Sequence, residues 1–160
     1  MRSTWQWIAA LGLAALWALC GFAVFGPHKL PDRIPIHFDA AGQINGWGSP
    51  AMLWLLPAVA TGIYVLITLV MRHPSAFNFP VQVTPAARAR LESMALDMIA
   101  WLRAEMIWLF LFIEWAMIYS ARLGRSAISP WTIPLCVAVV FVTIGWHIAG
   151  MRRVGQPRPR

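Results

Sequence analysis

Charge is scarce in this chain of 160 residues, where Asp, Glu, Lys and Arg together make up 12%. A soluble domain normally carries about 25%. With 59% hydrophobic residues, that scarcity excludes an ordinary water-solvated globule. Acid is the rarest charge, with 6 Asp and Glu against 13 Lys and Arg. Cysteine is almost missing. The 2 cysteines, Cys20 and Cys136, both fall inside apolar runs, so they read as small apolar side chains and not as a disulfide framework. Catalytic punctuation is missing as well. There is no His-Glu-x-x-His, no Gly-x-Ser-x-Gly, no phosphate loop and no haem-attachment cysteine pair. The expectation is therefore no enzyme, no cofactor and no metal site. The net charge of +7 belongs to no basic patch with a nucleic-acid fold signature, so nucleic acid is not an expected partner.

What is present is apolar and arranged in blocks. Residues 5–25 and 51–71 carry no charge, and 131–151 carry only His147. Each run is long enough to cross about 30 Å of hydrocarbon at about 1.5 Å per residue. None has the polar face of a soluble core helix. Residues 104–123 are apolar apart from Glu105, Glu114 and Arg122, and as a soluble segment they would strand 106–113 in water. The expected fold is an all-α integral membrane protein with one domain, 1–150, and four transmembrane helices near 5–26, 51–71, 104–123 and 131–151. A structured extracytoplasmic loop, 27–50, joins helices one and two, and a cytoplasmic connection, 72–103, holds an amphipathic segment before helix three. A basic disordered tail, 152–160, completes the chain. The first run exceeds the roughly 7–15 residues of a signal h-region and ends in no small-x-small site, so it reads as an uncleaved anchor.

Three helix starts share one spelling: Ser49-Pro50, Thr84-Pro85 and Ser129-Pro130. The hydroxyl caps an orphan amide, and proline at the first helical position lacks an N–H that would go unpaired. Orientation follows the basic residues. Arg2, Arg72, Arg88, Arg90, Arg103, Arg152, Arg153, Arg158 and Arg160 lie on one side, and only Lys29, Arg33, Arg122 and Arg125 on the other. Both termini are then expected in the cytoplasm of a bacterial inner (plasma) membrane, with the 27–50 loop outside. Leu91, Met94, Ala95, Met98 and Leu102 share the apolar face of the amphipathic segment, for the inner leaflet or for a run into the third span.

The outer loop reads Leu30-Pro-Asp-Arg-Ile-Pro-Ile-His37-Phe-Asp39-x-x-Gly42-x-x-x-Gly46-Trp47-Gly48-Ser49. Pro31 and Pro35 stiffen its entry, and Gly42, Gly46 and Gly48 permit tight turns, which suits a compact Ω-like lid. The pattern resembles the signature of the domain of unknown function 1648 (DUF1648) family, which also forms the N-terminal part of SdpI-type bacterial immunity proteins. The stretch Phe77-Asn-Phe-Pro80-Val-x-Val-Thr84 resembles a second segment of that family. The resemblance implies a membrane protein without assigned activity, in which His37, Asp39, Gly42 and Trp47 would contact a peptide, an envelope component or a partner subunit. His37 and Asp39, two apart, are placed to point the same way in an extended segment, with His28 and Asp32 nearby. A structural role is the alternative, with His37 bonding the turn and Asp39 capping it.

Glu105, Glu114 and His147 are the polar groups expected inside the membrane. Such groups cost about 3 kcal/mol at a helix centre and turn inward toward a partner. Arg103, Ile107, Phe110, Met117 and Ala121 share the side of Glu114, which is the expected inward face of the third helix. A Glu105–His147 contact is expected, serving either a proton or cation relay or a structural bond. Trp101, Trp108 and Trp115 recur every seven residues as a stripe for lipid or helix packing. The partners expected are the bilayer and, beyond it, a membrane protein, a second copy or an extracytoplasmic peptide.

Overall fold

Each apolar run becomes a helix, and the residues between the runs set where each one stops. The computed structural model describes residues 2–81 and 83–155. Helix α1, Arg2–Phe25, has no proline and no charge after its first residue, and it ends at Gly26-Pro27. Strands β1, Ile34–Phe38, and β2, Ile44–Gly48, follow. A 3-10 turn, Pro50–Trp54, leads into α2, Leu55–Val70. Helix α3, Pro85–Leu123, and helix α4, Thr132–Gly155, complete the described chain.

The expected punctuation is in place. Ser49 accepts from the Ala51 amide at 3.3 Å, Thr84 from Ala87 at 3.3 Å, and Ser129 from Trp131 at 3.4 Å. Among the described residues three helices are long and apolar enough to cross a membrane: Thr4–Phe25, Pro50–Val70 and Thr132–Val154, with mean hydropathy 2.3, 2.1 and 2.0. Their outer faces suit lipid. Trp7, Phe25, Trp131 and Trp146 are 70%, 80%, 78% and 79% exposed, which water would penalise heavily. Helix α3 is different in kind. Its 39 residues run about 58 Å without a break and carry Arg103, Glu105 and Glu114.

The structure departs from the expectation in three places. The all-α fold contains a β-hairpin, since residues 34–48 pair as two antiparallel strands. Alternating Ile34, Ile36 and Phe38 supply a β pattern that Pro35 and the glycines disguise. Of its two expected courses the amphipathic segment takes the run into the third span: it is the first half of α3, and the boundary drawn between residues 103 and 104 is absent. Its apolar face is covered by protein, because Leu91 and Ala95 pack with Met151 and against Phe77 and Phe79. Finally, α4 continues through Arg152 and Arg153 to Gly155, so the predicted tail begins inside a helix; residues 156–160 lie outside the described residues.

Helix α1 packs along α3 through small residues. Ala9 and Ala23 on α1, and Ala100, Ala104, Ala116 and Ala121 on α3, are buried, and small residues of this kind let backbones approach. At Gly12 an added Cβ would lie 3.0 Å from Trp108 Nε1, whose N–H donates to the Ile8 carbonyl at 3.1 Å. Cys20, Ala23, Met117, Ile118 and Ala121 form the core under the hairpin, closed from above by Ile34 and Leu53. The hairpin thus caps one end of the bundle. The Leu91–Met151 cluster closes the other.

Candidate functional site

The hairpin is a shaped object held on a shelf. Asp39 Oδ1 accepts from the amides of Ala41 and Gln43, both at 2.9 Å, and the Gly42 amide donates to the Asp39 carbonyl at 2.9 Å. Gly42 takes φ 75°, a left-handed conformation that favours glycine. Its carbonyl accepts from Ser126 Oγ at 2.5 Å, and a Cβ there would lie 3.0 Å from the Ile128 carbonyl oxygen. The shelf is braced in turn, since Ser120 Oγ accepts from the Ala127 amide at 2.9 Å. Gly46 and Gly48 lie close against β1: a Cβ at either would be 2.8 Å from His37 Cβ or Ile36 Cδ1.

Asp39 and Gly42 are therefore occupied in shaping and docking the tip, as the structural alternative expected of Asp39. His37 does not join Asp39. Its Nδ1 donates to Asn45 Oδ1 at 2.5 Å, which leaves Nε2 for another partner. Pro35 is buried opposite Trp47, which stays 44% exposed, while Pro31 lies exposed at the entry. Among the described residues no three His, Cys, Asp or Glu side chains gather where they could hold a metal ion. His37, Ile36 and Phe38 line a groove of about 490 Å³ between α3 and α4, together with Phe112, Ile133 and Phe141. Thr132 and the Cys136 thiol are the other polar groups on its wall.

The polar groups between the helices fall at three levels. Glu105 Oε1 accepts from Thr143 Oγ1 on α4 at 2.5 Å. His147, one turn on, donates from Nδ1 to the Thr143 carbonyl at 2.8 Å and meets Trp101 edge-on at 5.9 Å between centroids. The expected Glu105–His147 contact is thus replaced by a shared residue, because a threonine hydroxyl sits one turn nearer to the carboxylate. Glu114 is fully buried with neither oxygen hydrogen-bonded, and the Cys20 thiol of α1 is its polar neighbour. Arg103, Ile107, Glu114, Met117 and Ala121 are all buried and Phe110 partly so, as the inward face requires. The tryptophan stripe divides: Trp101 packs on Trp5 at 4.0 Å, whereas Trp115 stays 42% exposed and stacks on Tyr119.

Arg103 is legible both as a flanking charge and as a member of the inward face of α3. Its position on the face of Glu114 was the signal that it would be buried.

A protein of Archaeoglobus fulgidus, named only as an uncharacterized protein, is 32% identical to this chain over 88 residues. That alignment covers 50% of this chain and 48% of the relative, so the chain spans about half the relative's length. No solved structure matches. The family model described as "Domain of unknown function (DUF1648)" matches residues 10–61. Those residues run from α1 through the whole hairpin into α2, and the loop signature lies inside them, so this part of the chain carries the DUF1648 domain.

Proposed function

We propose that this is a non-enzymatic, multi-pass inner-membrane protein whose hairpin recognises an amphipathic ligand on the outer face. The C-terminal half of α3 is the fourth crossing, beside α1, and both chain ends are cytoplasmic. The excess of arginine at the end away from the hairpin supports that orientation. The ligand is a peptide, an envelope component or a partner subunit, in line with the loop's resemblance to immunity and sensing members. Its apolar part lies in the groove between α3 and α4, and its polar end meets His37.

The observation that carries this reading is the place of His37. It lines an apolar groove, on a hairpin that is fixed from both sides, with one ring nitrogen already bonded and the other available. Pockets of this kind bind through apolar walls and take their orientation from a few polar groups. A photoreactive benzoylphenylalanine at Phe141 should cross-link a second component in intact cells, and His37→Ala should remove the adduct without changing insertion. Adducts to lipid alone, or an adduct indifferent to His37→Ala, would remove the hairpin from the site. A cysteine placed at Gln43, exposed at the tip, should react with an impermeant maleimide from outside the cell. Reaction in inside-out vesicles only would reverse the orientation.

A second reading rests on Glu114. A small proton- or cation-coupled transporter, or an accessory subunit of one, would use Glu114, Glu105 and His147. The unbonded carboxylate favours it, since an ionisable group inside a membrane bundle is by default a candidate functional site.

A further inference from the structure

Arg103 is 2% exposed, yet most of its guanidinium is unsatisfied. Nη1 donates to Thr68 Oγ1 at 2.7 Å, and the guanidinium carbon lies 4.5 Å from the Tyr64 ring centroid. Nε and Nη2 are buried with no partner. The same residue walls a cavity of about 290 Å³ between α1, α2 and α3, lined also by Gln6, Thr68, Met71, Arg72 and Leu96. The cavity lies where α2 ends and α1 begins, at the end of the bundle away from the hairpin.

Among the described residues two cations line this space and no anion does. None of the 6 acidic residues lines it. Glu92 is paired with Arg88 at 2.9 Å. Glu105 turns to Thr143 on α4, and Asp97 lines a separate cavity with Trp101 and His147. Glu114 lies about 16 Å further along α3, and Asp32 and Asp39 belong to the hairpin end. Arginine stays protonated at any physiological pH, and an unpaired buried guanidinium is costly. No acidic side chain of the chain supplies the counter-charge, which favours an anion from outside it.

We propose that this cavity is an anion site that takes a phosphate group. Nε and Nη2 form one edge of the guanidinium fork; they are sealed in the wall as the side chain stands, and a small turn of the guanidinium into the cavity lets that edge meet two oxygens of a phosphate in a bidentate contact. Arg72 supplies the second charge, and Gln6 and Thr68 offer further polar contacts. A cavity of this size holds a phosphate group together with ordered water, whose share of liquid volume is about 30 Å³ per molecule. The phosphate belongs either to the headgroup of an anionic phospholipid, for which basic pockets at a membrane face are suited, or to a soluble phosphate. This site is independent of the reading given to the hairpin.

The test uses the full chain purified in dodecyl maltoside, with thermal unfolding as the readout. Inorganic phosphate and dihexanoyl-phosphatidylglycerol are titrated separately, against sodium chloride and dihexanoylglycerol as controls. A saturable rise in Tm with a phosphate probe, absent with both controls, is the expected result. Arg72→Gln should weaken the apparent affinity about tenfold, the worth of one charge-assisted contact, and Arg103→Gln should remove it. A rise with phosphatidylglycerol alone assigns the site to a lipid headgroup, and a rise with both assigns it to phosphate as such. No saturable rise with either probe overturns the proposal. So does a rise that survives undiminished in Arg103→Gln, or in Arg72→Gln should Arg103→Gln fail to fold.

Discussion

Gly42→Val should tear the hairpin tip from its shelf. Gly42 has φ 75°, and valine pays about 1–3 kcal/mol to hold a left-handed conformation. Its Cβ would also lie 3.0 Å from the Ile128 carbonyl oxygen and 3.1 Å from Ile128 Cγ2, where backbone cannot simply step aside. Overpacking of that kind adds about 1–3 kcal/mol. The sum, about 2–6 kcal/mol, is comparable to everything the tip's hydrogen bonds return at about 1 kcal/mol each. The amides of Ala41, Gly42 and Gln43 should then lose protection in hydrogen exchange, while the α1–α3 core keeps its own. Ser126→Ala removes one bond to the Gly42 carbonyl and should give a smaller loss at the same amides, about 1 kcal/mol. Unchanged exchange in Gly42→Val would show that the tip is not docked.

Glu114→Leu should make the protein more stable. The side chain is fully buried, both oxygens lack a hydrogen bond, and leucine has similar bulk. A buried polar group without a partner costs about 1–3 kcal/mol in proteins, and on insertion scales an acid at a helix centre costs about 3 kcal/mol. A gain of about 1–3 kcal/mol, read as a rise in Tm in detergent, is the expected result. A fall would mean that the carboxylate is bonded to a structural partner. Transport is tested separately with Glu114→Gln, which keeps the shape and removes the titratable proton. Under the transporter reading this variant should abolish pH-dependent flux in proteoliposomes. Full flux in the variant, or none from the parent, would remove Glu114 from that role. Stability and transport thus give distinct answers at one residue: a group kept against its own stability cost is one with a function elsewhere.

Much of this architecture was written locally. The three uncharged runs became the three helices apolar enough to cross a membrane, because runs of that length leave no other way to hide backbone and side chains together. The Ser-Pro and Thr-Pro starts worked for the same reason, since a cap involves only its own next few residues. The inward face of α3 was legible from angular spacing alone, down to Arg103 and Glu114. What could not be read depends on residues far apart. The docking of Gly42 needs Ser126 and Ile128, which lie beyond two helices. The exchange of His147 for Thr143 beside Glu105 depends on how α4 is rotated and slid against α3, which neither helix encodes alone. The hairpin was hidden by Pro35 and its glycines, residues that weaken a strand by propensity and are tolerated here because Pro35 is buried and the glycines let β1 approach closely. The unity of α3 was half legible, since a run into the third span was one of the two courses open to its amphipathic first half. Its charged first half and apolar second half look like two objects, yet helix propensity does not change at their junction.

That unity has a mechanical meaning. Between Ala86 and Leu123 there is no glycine and no proline, the residues at which helices ordinarily kink. One end of this rod braces the floor beneath the hairpin, and its middle carries the buried arginine. Anything that tips the rod at the first station must swing the second, because there is no joint in between to absorb the motion.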